Sequence, residues 1–225
     1  GEAVLTDNND IRVYTDGREK FDSLLSEMDH ARNYIHLQYY IIRNDELWQE
    51  IEEVLLGKAR QGVEIRVLFD SMGCRGMKNS DWDRLEKAGI QVAEFFPAVL
   101  GKLQLRVNYR NHRKIAVIDG RIGFVGGFNI GREYLGKDEK FGYWRDTHIC
   151  IEGAAVTSLA VRFALDWNYA ARDNIFLEDH LFELPTYIRN GRDPVQIISS
   201  GPDSHSQEIR NNYLRLIHMA RKNIF

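Results

Sequence analysis

Asn111-His112-Arg113-Lys114-Ile115-Ala116-Val117-Ile118-Asp119-Gly120, followed by Gly126-Gly127-Phe128-Asn129, carries both a fold signal and a chemical one. Ile115 to Ile118 and Ile122 to Val125 are short β-prone runs joined by the turn Asp119-Gly120, which predicts a tight hairpin. The same residues contain the pattern H-x-K-x4-D (His112, Lys114, Asp119) and then G-G-x-N. His112 and Lys114 stand two apart at the start of a strand, so both side chains are expected on one face. Gly126-Gly127 is expected to let backbone approach a ligand closely, and Asn129 to supply a neutral amide donor beside it.

Outward from the hairpin, strands alternate with helices. Asp16 and Glu19 stand at capping-box spacing before the helical stripe Phe21, Leu24, Leu25, Met28 and Ala31. Tyr34 to Ile42 reads as a strand. Leu47, Ile51, Val54 and Leu55 mark a second helix, ending near Gly62, and Val63 to Phe69 is the next strand. A short helix over Ser80 to Ala88 stops at Gly89, and Ile90 to Phe96 returns as a strand. Thr147 to Ile151 is a further strand, before a helix whose face carries Val156, Leu159, Ala160, Phe163 and Trp167, all read as core. The fold class is therefore α/β, and the hairpin makes its sheet mixed.

Composition narrows the class. The chain has 225 residues, 44% of them apolar and 28% charged, which excludes a disordered, collagenous or disulfide-rich protein. Cys74 and Cys150 read as isolated thiols, and neither cysteine nor histidine spacing resembles a metal site. No apolar run approaches the ~20 residues that span a bilayer. The net charge is −3, yet Phe95 to Ile118 holds Lys102, Arg106, Arg110, Arg113 and Lys114 and no acid, leaving −8 on the remainder. Such a basic window either faces an anion, typically phosphate, or is a solvated face whose acids lie elsewhere. The apolar run Phe95 to Leu105, interrupted only by Lys102 and Gln104, suits the headgroup boundary of an anionic membrane. It equally suits a buried strand end and loop.

The C-terminal stretch repeats the beginning. A shift of 189 positions aligns Leu25, Ala31, Arg32 and Ile35 with Leu214, Ala220, Arg221 and Ile224, and Ile11 to Tyr14 is similar to Val195 to Ile198. Residues 1–190 are expected to form one repeat of a pseudo-twofold pair, and 191–225 a linker and the start of a truncated second repeat.

The residues around the motif carry a resemblance. His112, Lys114 and Asp119 with Gly126-Gly127-x-Asn129 resemble the H-K-D signature of the phospholipase D superfamily. Ile35 to Tyr40, Asn108 to Lys114, Gly123 to Gly131, Glu133 to Gly136 and Tyr143 to His148 are similar to bacterial cardiolipin synthases in particular. The family's N-terminal membrane segments and its second H-K-D motif are not in the chain. The resemblance implies a phospholipase D-like fold and a phosphatidyl transfer that joins two phosphatidylglycerol molecules into cardiolipin and glycerol, without a cofactor. It implies a phosphohistidine mechanism with His112, Lys114 and Asp119 as the catalytic motif, His112 being either the nucleophile or the general acid of the complete enzyme. It also implies Lys114 and Asn129 (with Gly127 beside it) at the phosphate, and Asp146 orienting the imidazole. The expected partners are anionic phospholipid, a bacterial membrane surface on its cytoplasmic side, and a second H-K-D repeat or a second copy of the chain.

Alternatives remain at single positions. Asp119 is equally explained by its Asp-Gly turn and more readily braces the motif than touches substrate. Asp146 could simply partner Arg145 or another surface cation. His36 and Gln38 share a strand face and could line the site, or His36 could be a satisfied core histidine. A phosphodiesterase or nuclease working as a homodimer, or a lipid-binding fragment without turnover, are the competing functions. Nucleic acid is disfavoured, because a nuclease groove would interleave aromatics with Lys and Arg.

Overall fold

The computed structural model describes residues 3–96, 110–182, 191–201 and 207–224. Most of the expected lipid-facing loop, with Lys102 and Arg106, lies outside them. Eight strands form one mixed sheet in the order β4-β3-β2-β5-β6-β7-β1-β8. They are β1 (Leu5–Tyr14), β2 (Tyr34–Tyr39), β3 (Glu64–Asp70), β4 (Gln91–Phe95), β5 (Ile115–Ile118), β6 (Ile122–Gly126), β7 (His148–Gly153) and β8 (Asp193–Gln196). The helices are α1 (Gly17–Asp29), α2 (Glu46–Arg60), α3 (Asn79–Lys87), α4 (Ala155–Ala171) and α5 (Glu208–Met219).

β2, β3 and β4 run parallel because α2 and α3 cross over between them, whereas β2–β5 and β5–β6 pair antiparallel. Every residue of β2 and β5 is buried, as expected in a sheet covered on both faces; β5 is apolar throughout, and β2 buries the polar His36 and Gln38 as well. The period of two divides the layers. Ala116 and Ile118 face the core of α1 and α2 with Phe21, Leu24, Trp48 and Ile51, while Ile115 and Val117 face α4 with Val156, Leu159, Phe163 and Trp167. Asp16 caps α1 by accepting from Arg18 N at 2.9 Å and Glu19 N at 3.1 Å. Asp45 caps α2 in the same way.

The first strand is longer than its apolar signal. β1 begins at Leu5, six residues before the apolar run at Ile11, because β8 pairs with Leu5, Thr6 and Asn9 and β7 takes over from Asn9 onward. Buried Asn9 ties three elements together. Its Nδ2 donates to the Asp193 carbonyl at 3.1 Å, and its Oδ1 accepts from Ala155 N at 2.8 Å. The strand expected to open a second repeat thus lies on the sheet of the first. In α5 no residue is buried, and Tyr213 and Leu216 are exposed.

Candidate active site

One end of the sheet collects the candidate chemistry. The carboxyl ends of β2, β3 and β6 lie there beside the amino ends of β5 and β7, so Tyr40, Asp70, His112, Lys114, Gly126 and His148 become neighbours through topology alone. His112 and Lys114 do not sit on the strand as expected; they occupy irregular backbone just before β5. The exposed His112 imidazole stacks on Tyr40, with ring centroids 3.9 Å apart. Lys114 is mostly buried. Its Nζ turns back to donate to the His112 carbonyl at 2.6 Å and stands 5.5 Å from the Tyr40 ring centroid.

The electrostatics follow from this crowding. Partial desolvation and the Lys114 cation hold the His112 imidazole below its ordinary pKa, against an opposing pull from Asp70. Burial lowers the Lys114 ammonium, and Asp146 opposes it. Asp146 therefore acts on Lys114. Among the described residues no hydrogen bond joins it to His112; its Oδ1 accepts from Thr147 N at 2.7 Å.

The glycine pair has a different reason from the expected one. A Cβ on Gly127 would lie 2.0 Å from Asp146 Oδ1, and one on Gly126 would lie 2.5 Å from His148 Cα and Thr147 O. Gly126 and Gly127 make room for the protein's own β7 and carboxylate. Asn129 is likewise fastened: its Oδ1 accepts from Ile41 N at 3.1 Å and its Nδ2 donates to the Tyr134 hydroxyl at 2.7 Å. One N–H of that amide is thus spent, and Asn129 fixes the chain after β2.

Asp119 is displaced from the chemistry altogether. It lies at the other end of β5, roughly 20 Å from His112 at ~3.3 Å per strand residue. Its carboxylate accepts from the backbone N–H of Arg32, Asn33 and Tyr34 at 2.8–2.9 Å. Asp119, a member of the H-x-K-x4-D pattern, is thus held by three fixed backbone donors as a clamp on the entry to β2, in keeping with the bracing role expected of it and away from His112.

Two acids carry the site without belonging to any motif. Asp70, buried at the end of β3, accepts from Asn111 N at 3.1 Å and from Met72 N at 2.9 Å. Asp166, buried on α4, receives Gln38, Asn111 and Arg113 on one oxygen and Arg162 on the other, at 2.6–3.0 Å. The two residues flanking His112 are thereby bound to α4. Only the i,i+4 pair Arg162–Asp166, the charged residues of a helix without others, hinted at this. His36 is a core residue, stacked on Phe163 at 4.4 Å with burial keeping it neutral. Glu64, Glu178 and His180 also meet, but Arg66 pairs with both carboxylates.

Asn111 to Ile115 forms one wall of a cleft of about 730 Å³. Phe95, Phe96, Leu159, Leu165 and Tyr169 give it an apolar wall, and Arg110, Arg162 and Asp166 a charged one; Ile197 to Gly201 and Ile209 approach from the C-terminal stretch.

A family model described as cardiolipin synthase, PLD-like domain, matches residues 24–167. The chain is 51% identical over 224 residues to cardiolipin synthase of Staphylococcus aureus strain Mu50, which covers 99% of this chain and 45% of that protein. The chain therefore spans about half the length of the curated relatives it matches. Phosphatidylserine synthase from Haemophilus influenzae Rd KW20 superposes on 94% of this chain and 54% of its own, with a TM-score of 0.63 at 15% identity. The phospholipase D family member Nuc from Salmonella typhimurium covers 72% of this chain and 96% of its own, with a TM-score of 0.54 at 16% identity. These two likenesses show the fold.

Proposed function

The chain belongs to the cardiolipin synthase family of phospholipase D-like domains, and from that premise we propose that it is one catalytic repeat of a phosphatidyltransferase acting on phosphatidylglycerol. The observation that carries the proposal is the cleft: His112 and Lys114 stand at an apolar wall of Phe95, Leu159, Leu165 and Tyr169. A phospholipid has that form, an anionic phosphodiester at the end of an apolar body.

The chemistry is a double displacement. The neutral His112 imidazole attacks phosphorus; the P–N bond forms as the P–O bond to the leaving glycerol breaks. The glycerol oxygen takes a proton from a second acid. The hydroxyl of a second phosphatidylglycerol then attacks the phosphohistidine, returning its proton to that same group; the new P–O bond forms as the P–N bond breaks, and cardiolipin leaves the neutral imidazole. The depressed His112 pKa supports this role, since only the neutral ring is a nucleophile at neutral pH. Lys114 holds the nonbridging oxygens, with its charge supported by Asp146. The second N–H of Asn129 is the neutral donor, and Asp119 acts only through the fold. The second proton-transfer group comes from a second repeat that residues 191–225 begin, or from a second copy of the chain. The site works at the cytoplasmic face of a bacterial membrane; among the described residues no helix is long and apolar enough to cross one.

The test is His112→Ala in an assembly that supplies a second motif. Turnover of labelled phosphatidylglycerol should vanish while the circular dichroism spectrum is retained. Activity within tenfold of the parent would refute the nucleophile, and cleavage of a soluble phosphodiester with no lipid requirement would replace the transferase by a phosphodiesterase.

A further inference from the structure

The cleft wall formed by α4 is built for an anion of its own. Arg162, Leu165, Asp166 and Tyr169 recur at i, i+3, i+4 and i+7, so one helical face presents all four to the cleft. Asp166 is saturated by Gln38, Asn111, Arg113 and Arg162, which removes it as a base and leaves it as an anchor for two guanidinium groups. Arg162 donates to it through Nη2 at 2.6 Å, while its Nε is buried and has no hydrogen-bond partner. An unmade hydrogen bond at a buried charged donor is costly, so the guanidinium is under-used by the protein, and its side chain, a quarter exposed, meets the cleft where an acceptor can approach it.

The charge around the cleft points the same way. Among the described residues its lining holds Arg110, Arg113, Lys114 and Arg162 against the single carboxylate Asp166. A phosphodiester beside His112 is met by Lys114, while Arg113 and Arg162 stand apart from it on Asp166. The transfer proposed above brings two phosphodiesters together, because the acceptor carries a phosphate of its own. Two monoanions converging in one cleft repel unless each has its own cations.

We propose that Arg162 and Arg113, positioned by Asp166, form the phosphate subsite of the acceptor lipid, with Leu165 and Tyr169 against its glycerol and first acyl carbons. The proposal rests on the transferase reading. The subsite is what makes a lipid alcohol the attacking group in preference to water. The ligand chemistry is a phosphodiester monoanion, and the apolar residues select a lipid over a free headgroup.

The test needs no turnover. The 225-residue chain is titrated calorimetrically with monomeric dihexanoyl phosphatidylglycerol, with glycerophosphoglycerol and with inorganic phosphate. Two lipid molecules should bind per chain. Arg162→Gln should weaken one event at least tenfold and spare the other, and Arg162→Lys should restore most of it. Leu165→Asp should reduce lipid binding at that event to the level of glycerophosphoglycerol. If Arg162→Gln fails to fold, the Lys and Leu165→Asp variants decide. A single lipid per chain, or two events that Arg162→Gln leaves untouched, would overturn the subsite alone. Inorganic phosphate binding there as well as lipid does would overturn its assignment to a lipid. No lipid binding at all would overturn the transferase reading with it.

Discussion

At His112 opposing fields meet on one ring: partial desolvation and Lys114 favour the neutral form, Asp70 the cation. The outcome is a ring protonated only below its ordinary range, hence unprotonated and nucleophilic at neutral pH. The other end of the H-x-K-x4-D motif shows how a catalytic pattern can hold a structural residue. Asp119 has φ of 52°, in the left-handed region, and there its carboxylate receives three consecutive backbone N–H groups. Asp119→Ala leaves those donors to solvent and puts an unassisted side chain at a positive φ. It should cost about 2 kcal/mol in urea unfolding, within the range for charge-assisted hydrogen bonds. The His112 titration, followed by its imidazole proton resonances, should stay where it is. A shifted titration with unchanged stability would return Asp119 to the catalytic set.

At the scale of elements, the glycine pair at the end of β6 separates two kinds of crowding. At Gly126 the obstacle is backbone, His148 Cα and Thr147 O, so Gly126→Ala must push β7 away. A loss of about 2 kcal/mol is expected, as for other overpacked sites. At Gly127 the obstacle is the Asp146 carboxylate, which can swing aside. Gly127→Ala should keep most of the stability but withdraw a negative charge from Lys114. Since Asp146 raises the Lys114 pKa, the alkaline limb of the activity profile should move to lower pH. An unmoved limb would show that Asp146 has no hold on the lysine. The same contrast explains what could be read from the residues alone. The helices over Gly17–Asp29, Glu46–Arg60 and Ala155–Ala171 and the central strands announce themselves through apolar period. The first half of β1, Thr6 to Asp10, is polar throughout and is a strand only because two neighbours pair with it. Asp70 and Asp166 gain their importance from residues 41 to 128 positions distant, which no local pattern encodes. That His112 and Lys114 stand together before β5 was legible from their short motif spacing; the use of Gly126 and Gly127 was not, because it depends on what β7 places opposite.

For the whole molecule, the decisive arithmetic is one motif against two roles. The chain holds a single H-x-K-x4-D. Double displacement needs a nucleophile and a separate group to protonate the leaving alkoxide and deprotonate the incoming one. His112 bound to phosphorus cannot shuttle that proton. The buried histidines do not replace it: His36 is stacked under α4, and burial and nearby cations keep His148 neutral. Meanwhile α5 buries no residue, and Ile209, Tyr213, Leu216 and Ile217 expose an apolar stripe at 43–67% of their surface. A stripe of that kind, beside a cleft that Ile209 also lines, favours association through the end of the molecule where a second motif is needed. The 225-residue chain should therefore make no cardiolipin as a monomer, and should self-associate as its concentration rises. Cardiolipin formation from phosphatidylglycerol vesicles is measured across a dilution series, with mass followed by light scattering. Activity that appears only with a dimer would identify pairing as the source of the second group. Turnover per chain that stays constant while the species is monomeric would show that one motif suffices, and the two-histidine mechanism would fail.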